Sequence, residues 1–224
     1  LNNSNQFNIL SWSSTLPLCD NLWLGMQARN IAIVDFTLIR GIEASALEAY
    51  IERERTPTDI LITLSALSQM WVFALYEFLR TWRQRANEII EIEKKYALLE
   101  PDHRQPYLDN VVKKARKKEG STLSPQYYAR HIAQVSDHKF VRQLKLYFEQ
   151  TDALFREAEA LRITLAKHEV PKTSGLIAEA PGYGRMSYKD GSMYWLVTLK
   201  DGSQFSVNRR ELSNAFFVLD DDEL

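Results

Sequence analysis

One cysteine, Cys19, is all that a chain of 224 residues contains. A single thiol closes no internal disulfide and builds no cysteine-based zinc site. An excess of either charge is lacking too. Lys and Arg number 28 against 29 Asp and Glu, for a formal net charge of −1. That balance argues against a generally basic nucleic-acid binder and leaves room for a local patch. No run of about 18 apolar residues occurs, so no membrane-spanning helix is expected. The Gly-x-Ser-x-Gly elbow, the P-loop and the dinucleotide fingerprint are all missing. Gly182-Tyr183-Gly184 reads as a loop ahead of a strand. What is present is a globular composition, 45% hydrophobic and 25% charged. It suffices for one sizeable domain, or one domain with a small appendage.

The chain opens on Leu1 and an Asn/Ser/Gln-rich stretch, with no Lys or Arg before Arg29. That opening lacks the basic and apolar regions of a signal peptide. Asp220, Asp221, Asp222, Glu223 and Leu224 read as a frayed acidic tail. A cytoplasmic setting without membrane contact is expected.

Residues 1–25 read as polar and irregular, anchored by Phe7, Trp12, Leu22 and Trp23. Asn30–Arg40 is β-branched and alternating, which fits a strand or a helix continuing to Arg55. Thr56-Pro57-Thr58-Asp59 is a helix start: a hydroxyl cap, a proline in the first turn, then an acid. No Gly or Pro follows until Pro101. Leu64, Leu67, Trp71, Leu75, Phe78, Trp82, Ala86, Ile89, Ile92, Tyr96 and Leu99 recur at steps of three or four, the helical period. A helix this long buries its stripe only against other helices or a second subunit. Asp102–Pro106 reads as a turn, followed by a short helix to Lys118 that Gly120 ends. Ser124-Pro125 starts another helix, with a break expected near Ser136-Asp137 and an end at Pro171. Beyond it the period becomes two. Asp190-Gly191 and Asp201-Gly202 separate Arg185–Lys189, Ser192–Lys200 and Gln204–Asn208, a three-stranded meander. The expected fold is therefore mainly α: an antiparallel bundle of long helices with a small C-terminal antiparallel β-meander. Its segments are 1–55, packing on the bundle; 56–170, the bundle; and 171–224, the meander and tail.

Lys113, Lys114, Arg116, Lys117 and Lys118 form a basic run. It serves either as a phosphate-binding patch for RNA or as a solvated helix end favoured by the helix dipole. Trp71, Tyr76, Phe78 and Trp82, with Arg80, Arg83 and Arg85, are either an RNA surface or buried aromatics with arginines on the solvent side. The histidines are His103, His131, His138 and His168. His131 and His138 lie seven apart, too far to chelate from one helix. Glu100-x-x-His103 has Pro101 inside it and no second copy, as a di-metal bundle requires. No metal and no other cofactor is expected.

Leu161-Arg162-Ile163-Thr164-Leu165-Ala166-Lys167-His168 closes the last long helix with an Arg, five residues and a His. An all-helical bundle with this ending resembles the HEPN superfamily, in which an Arg, four to six residues and a His recur. Many members carry a polar residue directly after the Arg, where this chain has Ile163. The resemblance covers 56–170 and implies a metal-independent ribonuclease working as a homodimer. His168 would then handle the proton of the RNA 2′-hydroxyl or of the leaving oxygen. Arg162 would orient a phosphate and stabilise its transition-state charge. The product would be a 2′,3′-cyclic phosphate. Other members are non-catalytic binding modules. On an ideal helix the two side chains point roughly 120° apart, so they would flank a cleft. The residues alone also fit a helix-terminal histidine and an Arg162 paired with Glu159, in a non-catalytic module that binds a protein partner.

Overall fold

A computed structural model describes residues 7–118, 123–166, 176–177, 184–199 and 203–217. The chain is mainly α-helical with a small antiparallel sheet near its C-terminus. The opening, expected to be irregular, holds helix at 9–15 and from 22 onward among its described residues. Asn8 caps α1 (Ile9–Thr15) by accepting from the Ser11 amide. Asn21 caps α2 (Leu22–Val34) by accepting from the amides of Trp23 and Leu24. Asn8 and Asn21, two of the polar residues in the stretch read as irregular, are caps, which satisfy otherwise unpaired helix amides.

The stretch that fitted strand or helix is helical throughout. α2 passes through a π-helical segment, Asp35–Ile39, into α3 (Arg40–Arg53). Glu54, at φ 48°, ends it in the left-handed conformation. α4 (Thr58–Ala97) follows as one unbroken helix of 40 residues. Among the described residues it alone contains a stretch long and apolar enough, by length and composition only, to cross a bilayer, although it holds no unbroken apolar run. The Arg104 guanidinium donates to the carbonyls of Leu99 and Ala97, closing the end of α4. The expected turn at Asp102–Pro106 is instead the start of α5 (Pro101–Lys118). Pro101 opens that helix, and Pro106 interrupts its bonding only near the N-terminus, where few amides are yet paired. α6 (Leu123–Ala133) runs into a 3₁₀ turn, Gln134–Ser136. Asp137 then caps α7 (His138–Ala166), at the break read from the sequence, by accepting from the Lys139 amide.

The sheet comprises β1 (Leu176–Ile177), β2 (Arg185–Met186), β3 (Met193–Leu199) and β4 (Gln204–Asn208). β3 is central and pairs antiparallel with all the others, Trp195 opposite Val207 and Arg185 opposite Tyr194. A strand has two edges, so β1 and β2 share the one that β4 leaves open. The turn before β3 needs Gly191, at φ 76°. The Asp201-Gly202 turn lies outside the described residues. The tail expected after β4 begins with another helix, α8 (Arg209–Phe217). Asn208 caps it by accepting from the amides of Arg210 and Glu211.

The chain forms two compact units: Leu1–Arg29 with Arg80–Gln150, and Asn30–Leu79 with Thr151–Leu224. In the first, Trp82 is buried and donates to the Pro17 carbonyl at 2.7 Å. In the second, Trp71 donates to the Ile31 carbonyl at 3.0 Å, and Phe78 meets Phe216 edge-on.

Candidate functional site

Arg162 projects from the penultimate turn of α7, between the buried Leu161 and Ile163. Its guanidinium lies over the Tyr76 ring, 5.1 Å from the centroid, and Tyr76 stacks on Phe155. The pairing with Glu159 is not formed. Among the described residues Arg162 has no ion pair and no hydrogen-bond acceptor. Ile163, where HEPN proteins often carry a polar residue, belongs to the core. His168 lies outside the described residues.

Lys113, Lys114, Arg116 and Lys117 are exposed on α5, while Ala115 and Leu108 turn inward. None of the four is paired with a carboxylate among the described residues. The side chain of Lys118 lies outside them. Tyr107, Tyr127 and Tyr128 are half-buried. Trp71, Tyr76, Phe78 and Trp82 are all buried, which removes them as an RNA-stacking surface. Arg83 donates to the Phe148 carbonyl at 2.7 Å with its charge over the Phe148 ring, an internal rather than a solvent-facing role.

His131 is buried and its Nε2 meets Asp20 Oδ1 at 2.6 Å; Arg130 bonds the other carboxylate oxygen. Burial pushes the Asp20 carboxyl up, but the hydrogen bonds and charges of His131 and Arg130 outweigh it and hold it below the usual range. The three residues tie the loop before α2 to α6. Burial, followed by the charge of Asp20, pushes the neighbouring Cys19 thiol far above its ordinary value, against a smaller opposing effect of Arg29. A thiol kept protonated in this way is no nucleophile. His103 and His138 are exposed, and no three metal-ligating side chains come together among the described residues.

A further polar cluster lies at α8, one that sequence reasoning missed. Arg209 of α8 is fully buried and donates to Glu43 through Nε at 2.6 Å and to Asp35 through Nη1. Asp35 and Glu43 are also fully buried. Arg40 Nε and the Ser213 hydroxyl donate to Asp35 Oδ2, while Arg210 takes Glu43 Oε2. Trp71 lies 5.2 Å below the Arg209 guanidinium. Asp35, Glu43 and Arg209 have no exposure, and the cluster fixes α8 on the helical segment. Its one local signal is Asp35 itself, the sole acid between Asp20 and Glu43.

Comparison with protein families, curated proteins and solved structures finds no match to this chain.

Proposed function

We propose that the chain is a HEPN-like helical protein that acts on RNA as a homodimer. The observation that carries this reading is the state of Arg162. An aromatic ring supports its guanidinium, and among the described residues no carboxylate neutralises it. Its N–H groups are therefore available to a phosphate, the acceptor that suits a planar guanidinium best. The unpaired, exposed cations of α5 offer a second, non-specific attraction for a phosphate backbone.

In the reaction, the 2′-oxygen attacks phosphorus and loses its proton to His168. The bond from phosphorus to the 5′-oxygen breaks, and that oxygen takes up a proton. The products are a 2′,3′-cyclic phosphate and a free 5′-hydroxyl, and no metal ion is required. Labelled single-stranded RNA incubated in EDTA tests the reading. Wild type should cleave it, and His168→Ala should lose about 10²-fold or more. Arg162→Ala should be similarly impaired, with both variants retaining the wild-type circular dichroism spectrum. Wild-type cleavage that survives in folded His168→Ala would overturn the assignment.

One observation favours a second reading, a non-catalytic module that binds a protein. Leu22, Trp23 and Met26 are exposed at 44%, 51% and 41% on the first turns of α2. Exposed Trp and Met are typical of protein interfaces. Absence of cleavage together with RNA binding no tighter than that of a neutral control protein would make it the leading one.

A further inference from the structure

The near-zero net charge of the chain conceals two opposite ones. The first compact unit, Leu1–Arg29 with Arg80–Gln150, holds 16 Lys and Arg against 10 Asp and Glu, a net of +6. The second holds 12 against 19, a net of −7. In the first unit the excess concentrates on α5 and α6. Between Asp109 and Asp137 the sequence has six Lys and Arg and one acid, Glu119. Lys113, Lys114, Arg116 and Lys117 are exposed, and among the described residues none has a carboxylate partner. Lys139 and Arg142, in the first turns of α7, are exposed and unpaired in the same sense. A surface helix ordinarily sets acids one turn from its cations; here they are missing.

The spacing of these cations suits two strands of a polyanion. From Lys113 to Lys117 they occupy about 6 Å of helix axis and an arc of about 160°, with Lys114 and Arg116 on opposite flanks. A duplex presents one phosphate charge per about 1.7 Å of its axis, so three or four over that length; each strand alone supplies half of them. A single strand is held in addition by stacking its bases on exposed rings, and this unit offers few. Arg104 lies over Tyr96, Arg130 over Tyr127 and Arg83 over Phe148, while Phe140 stacks on His131. Of the unit's described aromatic side chains only Trp23 is exposed, and one ring does not stack successive bases. A lipid surface fits less well. Membrane-bound helices insert an apolar face beside their cations, whereas the outward residues from 113 to 117 are all charged and Ala115 is buried.

We propose that α5 and its neighbours in this unit bind double-stranded nucleic acid by its phosphate backbone, without reading base sequence. That the duplex is RNA rests on the reading of Arg162 given above; the preference for two strands does not. On that reading the unit holds the paired part of a folded RNA, and an unpaired stretch of the same molecule is cut.

A 2′-O-methyl RNA duplex of about 20 base pairs is a suitable probe, since it keeps a paired A-form backbone and its capped 2′-oxygen cannot attack phosphorus. Fluorescence anisotropy with the full chain should show the duplex binding at least about tenfold tighter than either of its strands. Two duplexes of unrelated sequence should agree within about twofold, because only the backbone is contacted. The association constant should fall with salt at a log–log slope of about −3 or steeper, as expected for four or more phosphates. Changing Lys113, Lys114, Arg116 and Lys117 together to alanine should weaken binding at least about tenfold and flatten that slope. The circular dichroism spectrum should not change, because the four side chains are exposed and alanine is the best helix former. Strands that bind as tightly as the duplex, or a folded quadruple variant that binds like wild type, would overturn the proposal. So would displacement of the duplex by polyglutamate or by phosphatidylserine vesicles as readily as by unlabelled duplex. The probe is uncleavable, so the two readings fail separately. A chain that prefers the duplex but cuts no RNA counts against Arg162 alone; one that cuts RNA without preferring the duplex counts against this proposal alone.

Discussion

Arg209 is held by two carboxylates that no solvent reaches, so each partner's value depends on the other's presence. Removing one member of a buried ion cluster leaves an uncompensated charge, which costs about 3–5 kcal/mol. Arg209→Met should lower the urea-unfolding free energy by that amount. Arg40 and Arg210 remain beside Asp35 and Glu43 in that variant, so adding Asp35→Asn and Glu43→Gln, which strands those two cations, should recover none of the loss. Gly191 carries a different demand. Its positive φ disfavours any side chain, and a Cβ there would meet the Glu43 carbonyl oxygen at 2.0 Å. Gly191→Ala should therefore destabilise by about 1–3 kcal/mol, measured in the same unfolding experiment.

At the scale of elements, capping and loop anchoring are the levers. Asn208 receives the first amides of α8, and its own amide group donates to the Ser192 hydroxyl at 2.9 Å, which donates to Asp190. Asn208→Ala should cost about 1 kcal/mol or somewhat more, since a cap and a side-chain relay are lost together. The Asp20 anchor gives a pH dependence of known sign. Its folded carboxyl lies below the ordinary carboxylate value. Its contribution is thus fully present above about pH 4, the unfolded range, and is lost as pH falls through the folded value. Thermal melts of wild type should lose stability below about pH 4 more steeply than those of Asp20→Asn.

Local signals made the long helices legible. Pro57, Pro101 and Asp137 mark helix boundaries, and the apolar stripe from Leu64 to Tyr96 has a helical period. Asp190-Gly191 likewise announced its turn. α1 and α8 were missed because Asn8 and Asn208 look like loop residues until their side chains are seen on helix amides. The ion cluster was invisible for another reason: Asp35 and Arg209 are 174 positions apart, and no local pattern records such a pairing. For the candidate site, the sequence supplied the Arg162 and His168 spacing. It could not show that Arg162 would lie on Tyr76, a residue 86 positions earlier.

For the whole molecule, the two long helices matter most. α4 contributes Thr58–Leu79 to one compact unit and Arg80–Ala97 to the other; α7 is likewise shared at Gln150–Thr151. Melting one unit would require ending both helices in mid-course, where helix cooperativity resists a break. Urea unfolding should accordingly show coincident transitions by far-ultraviolet and near-ultraviolet circular dichroism. Two separated transitions would mean that the helices fray at the boundary.

The burial of Asp35 and Glu43 under Arg209 also sets a schedule for the newborn chain. Both acids leave the ribosome long before Arg209, in a segment otherwise ready to bury its apolar side. Their neutralising arginine is translated 174 residues after Asp35, a wait of roughly 10–35 s at usual elongation rates of 5–20 residues per second. Throughout that interval Asp35 has only Arg40 and Glu43 has neither of its arginines, so the segment must stay hydrated, which holds the second unit open. Its closure waits for Arg209, so chains truncated before that residue should be bound by chaperones and open to proteases.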